Sequence, residues 1–263
     1  MPPKVHTRFQ AIKDFFKKDP KNTPVGEVIS TAWDSPKDLI PHLNALRKHI
    51  LRATIILILG VILSLTFSRQ LLDWLTVPVG GIKLLEAIEV TEPMSVVMRV
   101  ALLTGFTITL PYITLEIWLF IAPGLKIKPR LWGLVFIPLA TILFAGGMAF
   151  AYFVMIPAAL PFLLNFMGIQ TTPRPASYIR FITGLMFWIG ATFEFPLIIF
   201  VIAKLGWIKA KTLASQWRIA IIIISIFAAV ITPTVDPINM LLVMGPMIVL
   251  YLFSTLLAYL AQS

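Results

Sequence analysis

Cysteine is absent from this sequence of 263 residues, histidine occurs three times, and only 13% of the residues are charged. Without cysteine, disulfides, iron–sulfur ligation and thiol catalysis are excluded. The three histidines, His6, His42 and His49, lack the spacing of metal ligands, so we expect no metal site. A GxxxxGKS/T loop is also missing from the sequence, which argues against nucleotide hydrolysis.

The sequence also lacks the residues that an intramembrane protease needs. All three histidines precede the first long apolar segment, so a serine protease could not use them at membrane depth. An aspartyl protease needs two acids within the membrane, and Asp236 falls in a predicted turn. We therefore expect no enzyme activity, no catalytic residue and no cofactor.

Hydrophobic residues make up 58% of the chain and fall in long blocks. A helix needs roughly 20 mainly apolar residues to cross about 30 Å of hydrocarbon, and the alternation typical of membrane strands is not seen. The sequence predicts an all-α integral membrane protein with six transmembrane helices, kinked by internal prolines into a concave bundle. The predicted spans are about 50–69, 97–121, 131–156, 180–203, 216–232 and 238–259.

The net charge of +10 comes from basic residues that are grouped by loop. Most of them lie in the segment up to Arg52, in the loop at 122–132, and in the stretch from Lys204 to Arg218. Because loops rich in Lys and Arg stay in the cytoplasm, both termini are predicted to be cytoplasmic and the other three loops to face outward. We attribute the charge to this orientation and expect no nucleic-acid binding.

Residues 1–37 are polar and carry two short amphipathic patterns. Such patterns, with aromatic and basic side chains, are typical of an interfacial arm held on anionic lipid. A loosely ordered tail explains them equally well, and the sequence leaves both interpretations open. We predict a domain boundary at this point, with residues 38–263 forming the membrane domain.

Glu194 is the only charged residue between Arg180 and Lys204. A carboxyl group near the middle of the hydrocarbon layer costs at least a few kcal/mol, so such residues usually face a cavity or a partner. The alternative is a protonated, hydrogen-bonded packing residue. One functional hypothesis is a proton-coupled carrier of small solutes, although the inverted repeats of such carriers are not apparent in the sequence.

The fifth apolar segment is short. It offers roughly 15 residues between Arg218 and Pro233, or about 22 Å of helix. A helix shorter than the hydrocarbon thickness thins the bilayer around it. We therefore expect a locally thinned membrane beside this segment.

A series of motifs follows the order found in a known family. Together they resemble TatC, the multi-spanning subunit of the twin-arginine protein translocase, over about residues 38–260. The motifs are HLNALRK at 42–48, TEP at 91–93, WLFIAPGL at 118–125, GGMAFAYFVMIP at 146–157, FEFP at 193–196 and ITPTVDP at 231–237.

The resemblance implies a multi-pass protein of the cytoplasmic (inner) membrane that moves folded proteins with the proton-motive force. It implies single-span TatA- and TatB-like partners, self-association and contact with the lipid bilayer. A cytoplasmic surface would receive signal peptides that carry two consecutive arginines. The matching positions of that surface are His42, Leu43, Leu46, Arg47 and Phe120.

Two further groups of positions match the family. Glu194 and Pro196 would belong to a groove for translocation or for a partner helix. On the outer side, Arg99 could pair with Glu92 or anchor the helix end among the headgroups. The outer-side positions are Pro78, Glu92, Arg99, Pro233 and Asp236.

The chain departs from the family at the positions that recognise arginine. Ala45 and Pro129 stand where the family carries acids, and acids suit that task because carboxylate and guanidinium form two parallel charge-assisted hydrogen bonds. Glu116 and Asp38 are possible replacements, although Glu116 could snorkel to the interface and Asp38 could favour a helix N-terminus. A second hypothesis is therefore a divergent TatC paralogue without twin-arginine recognition that acts as a scaffold.

Overall fold

Every regular element that the computed structural model describes is a helix, in agreement with the predicted all-α class. The described residues are 36–122, 133–165, 171–232 and 237–262. Some sequence predictions lie outside them, namely the interfacial arm up to residue 35, Pro129, Pro233 and Asp236.

The chain forms two compact units. The first unit contains residues 1–58 and 109–139, and the second contains residues 59–108 and 140–263. The helices in chain order are α1 (Pro36–Leu65), α2 (Ser68–Thr76), α3 (Glu92–Ile121), α4 (Gly133–Phe150), α5 (Ile156–Leu164), α6 (Pro175–Phe193), α7 (Phe195–Lys204), α8 (Ala210–Ser215), α9 (Trp217–Ile231) and α10 (Pro237–Gln262).

Five helical stretches in the described residues are long and apolar enough to cross a membrane, so the chain is a multi-pass membrane protein. The sixth predicted span corresponds to α9, which has 15 residues and is as short as the sequence indicates. Six spans and the orientation of the termini stay predictions. The five stretches are Leu43–Leu65, Glu92–Ile121, Val135–Leu164, Pro175–Lys204 and Asn239–Gln262.

Two predicted helix ends were wrong. The first span was predicted to reach residue 69, but α1 ends at Leu65, where the hydroxyls of Thr66 and Ser68 bond to carbonyls of the last turn. The third was predicted to end at residue 156. It continues through a π-helical turn at Ala151–Met155 into α5, so Pro157 lies inside one continuous helical stretch that ends at Leu164.

In the second unit, glycines allow α4 and α6 to approach closely. A Cβ atom added to Gly147 would lie 2.8 Å from the Cα of Gly190 and 3.0 Å from the carbonyl oxygen of Ile189. Both of these are backbone atoms, which cannot move aside as a side chain can. Close packing through small residues is the usual way for helices to associate in lipid, where burial of apolar surface gives no advantage.

Gly147→Ala should destabilise the protein, because the added methyl group forces these two backbones apart, at a cost of about 1–3 kcal/mol. The adjacent Gly146 has open space around its Cβ position, so Gly146→Ala is a matched control and should leave stability unchanged or raise it slightly. The melting temperatures of both variants are measured by thermal unfolding of the detergent-solubilised protein, with size-exclusion fluorescence as the readout. Equal melting temperatures for the two variants would contradict the close approach.

Candidate functional site

Glu116 of α3 is an enclosed acid of the first unit, with 3% of its surface exposed. The Tyr112 hydroxyl donates to its Oε1 at 2.6 Å. Nδ1 of His49 lies 2.5 Å from Oε2, and since a carboxylate can only accept, this nitrogen is the donor. Nη1 of Arg52 is 3.9 Å from the same oxygen, which allows electrostatic attraction but is too long for a hydrogen bond.

Helical spacing accounts for this cluster. Tyr112, Glu116 and Phe120 succeed one another at intervals of four residues on α3, so they share one face. His49 and Arg52 are three residues apart on α1 and meet that face. The edge of the His49 ring approaches the ring of Phe120, with centroids 6.1 Å apart.

The structure thus joins two predicted site residues, Phe120 and Glu116, and adds three that the sequence did not single out. His49 and Arg52 were missed because they lie on α1, and their closeness to Glu116 becomes visible only once α1 and α3 are paired. The four-residue interval from Tyr112 to Glu116 was the one local signal.

The other predicted docking positions lie on α1. Leu43 has 59% of its surface exposed and Phe120 has 37%, so both present apolar surface in the first unit. Arg47 is exposed and Leu46 is half-buried. Asp38 and His42 lie nearer the start of the same helix.

Glu194 stands at a break in the fourth long span, between α6 and α7. Pro196 has no N–H and cannot bond to the carbonyl of Thr192, and its ring crowds that carbonyl. The chain tightens here, as the N–H of Glu194 bonds to the Ala191 carbonyl at 3.2 Å. Oε1 of Glu194 is buried and has no hydrogen-bond partner among the described residues.

An apolar cavity of about 400 Å³ adjoins this break in the second unit. It takes its walls from α6, α9 and α10, and the flanking residues Thr192 and Phe195 contribute to it, whereas Glu194 does not. The Glu194 carboxyl group is therefore directed elsewhere than into this cavity.

Glu92, at the start of α3, is only 2% exposed and belongs to an ion-pair cluster of the second unit. Nε of Arg174 donates to its Oε1 at 2.8 Å, and Nη2 of Arg174 contacts the same oxygen. Nη2 also lies 2.9 Å from Oε1 of Glu89. Hydrogen bonds from Arg174 to Glu92, and then to Glu89, raise the pKa of the Arg174 guanidinium above its ordinary value.

In the described residues Glu92 pairs with Arg174, and not with Arg99 as one of the two predictions had it. Seven positions separate the two on α3, or about 10.5 Å along its axis, whereas Arg174 approaches from the segment before α6. Pro78, another predicted outer-side residue, is half-buried in a short turn at Val77–Val79.

Several known proteins are similar to this chain in sequence and in fold. The family described as "Sec-independent protein translocase protein (TatC)" matches residues 41–246. TatC of Carboxydothermus hydrogenoformans is 35% identical over 86% of this chain and 94% of its own, and TatC of Deinococcus radiodurans is 34% identical over 81% and 82%. A crystal structure described as "Twin Arginine Translocase Receptor- TatC" superposes with a TM-score of 0.74 at 29% identity, covering 84% of this chain and all of that one.

Arg174→Gln should lower the melting temperature more than Glu89→Gln. The first variant leaves the buried Glu92 carboxylate without its cation, whereas Glu89 is 65% exposed and stays hydrated. Thermal unfolding in detergent compares the two directly. A greater loss of melting temperature in Glu89→Gln would show that the cluster does not stabilise the buried Glu92 carboxylate.

Proposed function

The chain belongs to the TatC family of Sec-independent protein translocase proteins, and on this premise we propose that it is a receptor and core subunit for folded cargo in the cytoplasmic membrane. In this role it binds twin-arginine signal peptides on its cytoplasmic side and draws on the proton-motive force. The observation that carries the proposal is its likeness, in sequence and in fold, to a TatC protein described as a twin-arginine translocase receptor.

The surface around Leu43, Arg47 and Phe120 is our proposed docking site for the signal peptide. Exposed Leu43 and Phe120 offer apolar contact for the hydrophobic part of such a peptide. The face of an aromatic ring also attracts a guanidinium group. These features support recognition of a segment that is both apolar and arginine-bearing.

We propose that Glu116 replaces the acids that the resemblance implies at the positions of Ala45 and Pro129. Ala45 and His49 are four residues apart on α1 and so lie on one face. The contact between His49 and Glu116 therefore brings a carboxylate within about one helical turn of the position where the resemblance implies an acid. Asp38 lies about 16 Å before His49 along the helix, which makes it the weaker candidate.

Glu194 and Pro196 mark our proposed site for a single-span partner helix of the TatA or TatB type. A buried carboxyl oxygen without a donor is costly in an apolar environment. A polar group on a partner helix would supply that donor. Self-association of the chain, and a bilayer thinned beside the short helix α9, belong to the same proposal.

A second candidate is a divergent TatC scaffold without twin-arginine recognition. One observation favours it, namely that both oxygens of Glu116 already have donors within the chain. The loop predicted at 122–132 also carries three basic residues and no acid. The crosslinking experiment below separates this candidate from the receptor.

Photo-crosslinking probes at Leu43 and Phe120, in membrane vesicles, should capture a precursor with an Arg-Arg signal. The matched Lys-Lys precursor should be captured about tenfold less, because arginine makes one more charge-assisted hydrogen bond to a carboxylate than lysine does. Ile55 is an exposed residue further along α1, and a probe there serves as the control. Absence of crosslinks at all three positions, from inserted and folded protein, would favour the scaffold.

Glu194→Ala should insert and fold normally but export the Arg-Arg precursor severalfold more slowly, because the proposed partner helix loses its polar contact. Thr192→Ala is the matched control, since the Thr192 hydroxyl bonds to the Trp188 carbonyl of its own helix. Protease protection of the cargo inside vesicles measures export. Equal export by the Glu194→Ala protein and its parent would contradict a role for this acid.

A further inference from the structure

The apolar cavity of the second unit is a groove that follows one face of α9. Its walls on the other sides include Trp188 of α6 and Tyr251 of α10. Residues four positions apart lie on one stripe of a helix, so the groove extends along nearly the whole of α9. The members of this stripe that line it are Ile219, Ile223, Phe227 and Ile231.

The groove is long and narrow. A volume of about 400 Å³, spread along about 22 Å of helix, gives a mean cross-section of about 18 Å². A helix with its side chains is about 10 Å wide, so its cross-section is roughly 80 Å². The groove is therefore too narrow to enclose a helix, but it can hold an extended hydrocarbon chain, which is one methylene group wide.

The walls of the groove suit hydrocarbon because their hydroxyl groups already have partners. The Thr192 hydroxyl donates to the Trp188 carbonyl at 2.8 Å, and the Tyr251 hydroxyl donates to the Leu213 carbonyl at 2.5 Å. An apolar chain in the groove would thus leave neither hydroxyl without a hydrogen bond, which would otherwise be costly.

One end of the groove is basic. Gln216 lines this end, and Lys209, Lys211 and Arg218 lie close to it in the sequence. These three cations are exposed, and none of them pairs with an acid of the described residues. The helices α6, α9 and α10 contain no acid, so the positive charge is not compensated there and attracts anions.

Arg218 lies at the level expected for lipid phosphates. Its guanidinium carbon is 5.5 Å from the centre of the Trp217 ring, and tryptophan is enriched at the headgroup level of a bilayer. Both residues belong to the first turn of α9, where the apolar part of the helix begins. A guanidinium group binds phosphate oxygens through two parallel N–H donors.

We propose that this groove binds one acyl chain of an anionic phospholipid, whose phosphate lies on Arg218 with Lys209 and Lys211 close by. The lipid fills the space between α6, α9 and α10 and so supports the short helix α9. The proposal is independent of the receptor function, because the lipid site lies in the second unit and the docking surface for the signal peptide lies in the first.

The phosphate contact is tested by native mass spectrometry of the full chain in detergent, titrated with dioleoyl phosphatidylglycerol or dioleoyl phosphatidylcholine. The parent should bind the anionic lipid about tenfold more tightly, and Arg218→Gln should weaken that binding about fivefold without changing the zwitterionic lipid, as expected for one basic residue at a lipid headgroup. Arg69→Gln is the matched control, since it removes an exposed cation of α2 outside the groove.

The position of the chain is tested with phosphatidylglycerol that carries a diazirine midway along one acyl chain, as a minor component of phosphatidylcholine vesicles. Light should label the residues that line the groove, such as Ile223, severalfold more than Ile222, a neighbour on α9 that is 60% exposed but does not line it. Ile223→Trp should fill the groove and reduce this labelling, whereas Ile222→Trp should not. The labelling of the parent needs no variant, so it decides the question even where Ile223→Trp does not fold.

Several outcomes would overturn the proposal. Equal affinity for the two lipids, or equal losses in Arg218→Gln and Arg69→Gln, would show that no phosphate site exists at Arg218. Equal labelling of Ile222 and Ile223 would show ordinary lipid around the protein and no bound chain. Absence of label from the groove in inserted and folded protein would also overturn it, and would favour a partner helix that lies over the groove.

Discussion

A carboxylate that leaves water must find donors or cations inside the protein, because its desolvation is otherwise uncompensated. This requirement shapes both ends of α3. Near its end, Glu116 takes donors from Tyr112 and from His49 of α1, and at its start Glu92 takes the Arg174 side chain. The two acids therefore fix the helix to different parts of the chain, and in each unit the carboxylate is the group around which the neighbouring polar side chains are arranged.

Glu194 meets the same requirement differently. Its Oε1 is buried without a hydrogen-bond partner in the described residues, as Oε2 of Glu92 is. Unlike Glu92, Glu194 has no arginine on its other oxygen there, and it lies where Pro196 already prevents a regular helix. Each oxygen of Glu116 accepts one hydrogen bond in the described residues, so this acid also keeps acceptor capacity. The two sites differ in their donors, because Glu116 has two and the buried oxygen of Glu194 has none among the described residues.

The sequence predicted the important acids and the helices much better than it predicted the side chains that contact those acids. Long apolar runs and helix-breaking residues are local properties, so five long apolar helices and the short α9 could be predicted, although some of their ends could not. The contact between His49 and Glu116 joins residues 67 apart, and that between Arg174 and Glu92 joins residues 82 apart. Arg99 was predicted as an ion-pair partner of Glu92 because the two are near in sequence. On one helix, however, seven residues hold them about two turns apart.

The resemblance implies acids at the positions of Ala45 and Pro129. Their absence here does not by itself remove the capacity to recognise arginine, because guanidinium binding depends on the geometry of the acceptors and not on the helix that supplies them. Glu116 provides two oxygens beside an aromatic ring, and its internal partner imposes a cost on every ligand. That cost lowers the affinity for arginine and for lysine alike. Specificity is a difference between affinities, so the equal cost cancels, and a preference for arginine has to come from its second hydrogen bond to the carboxylate.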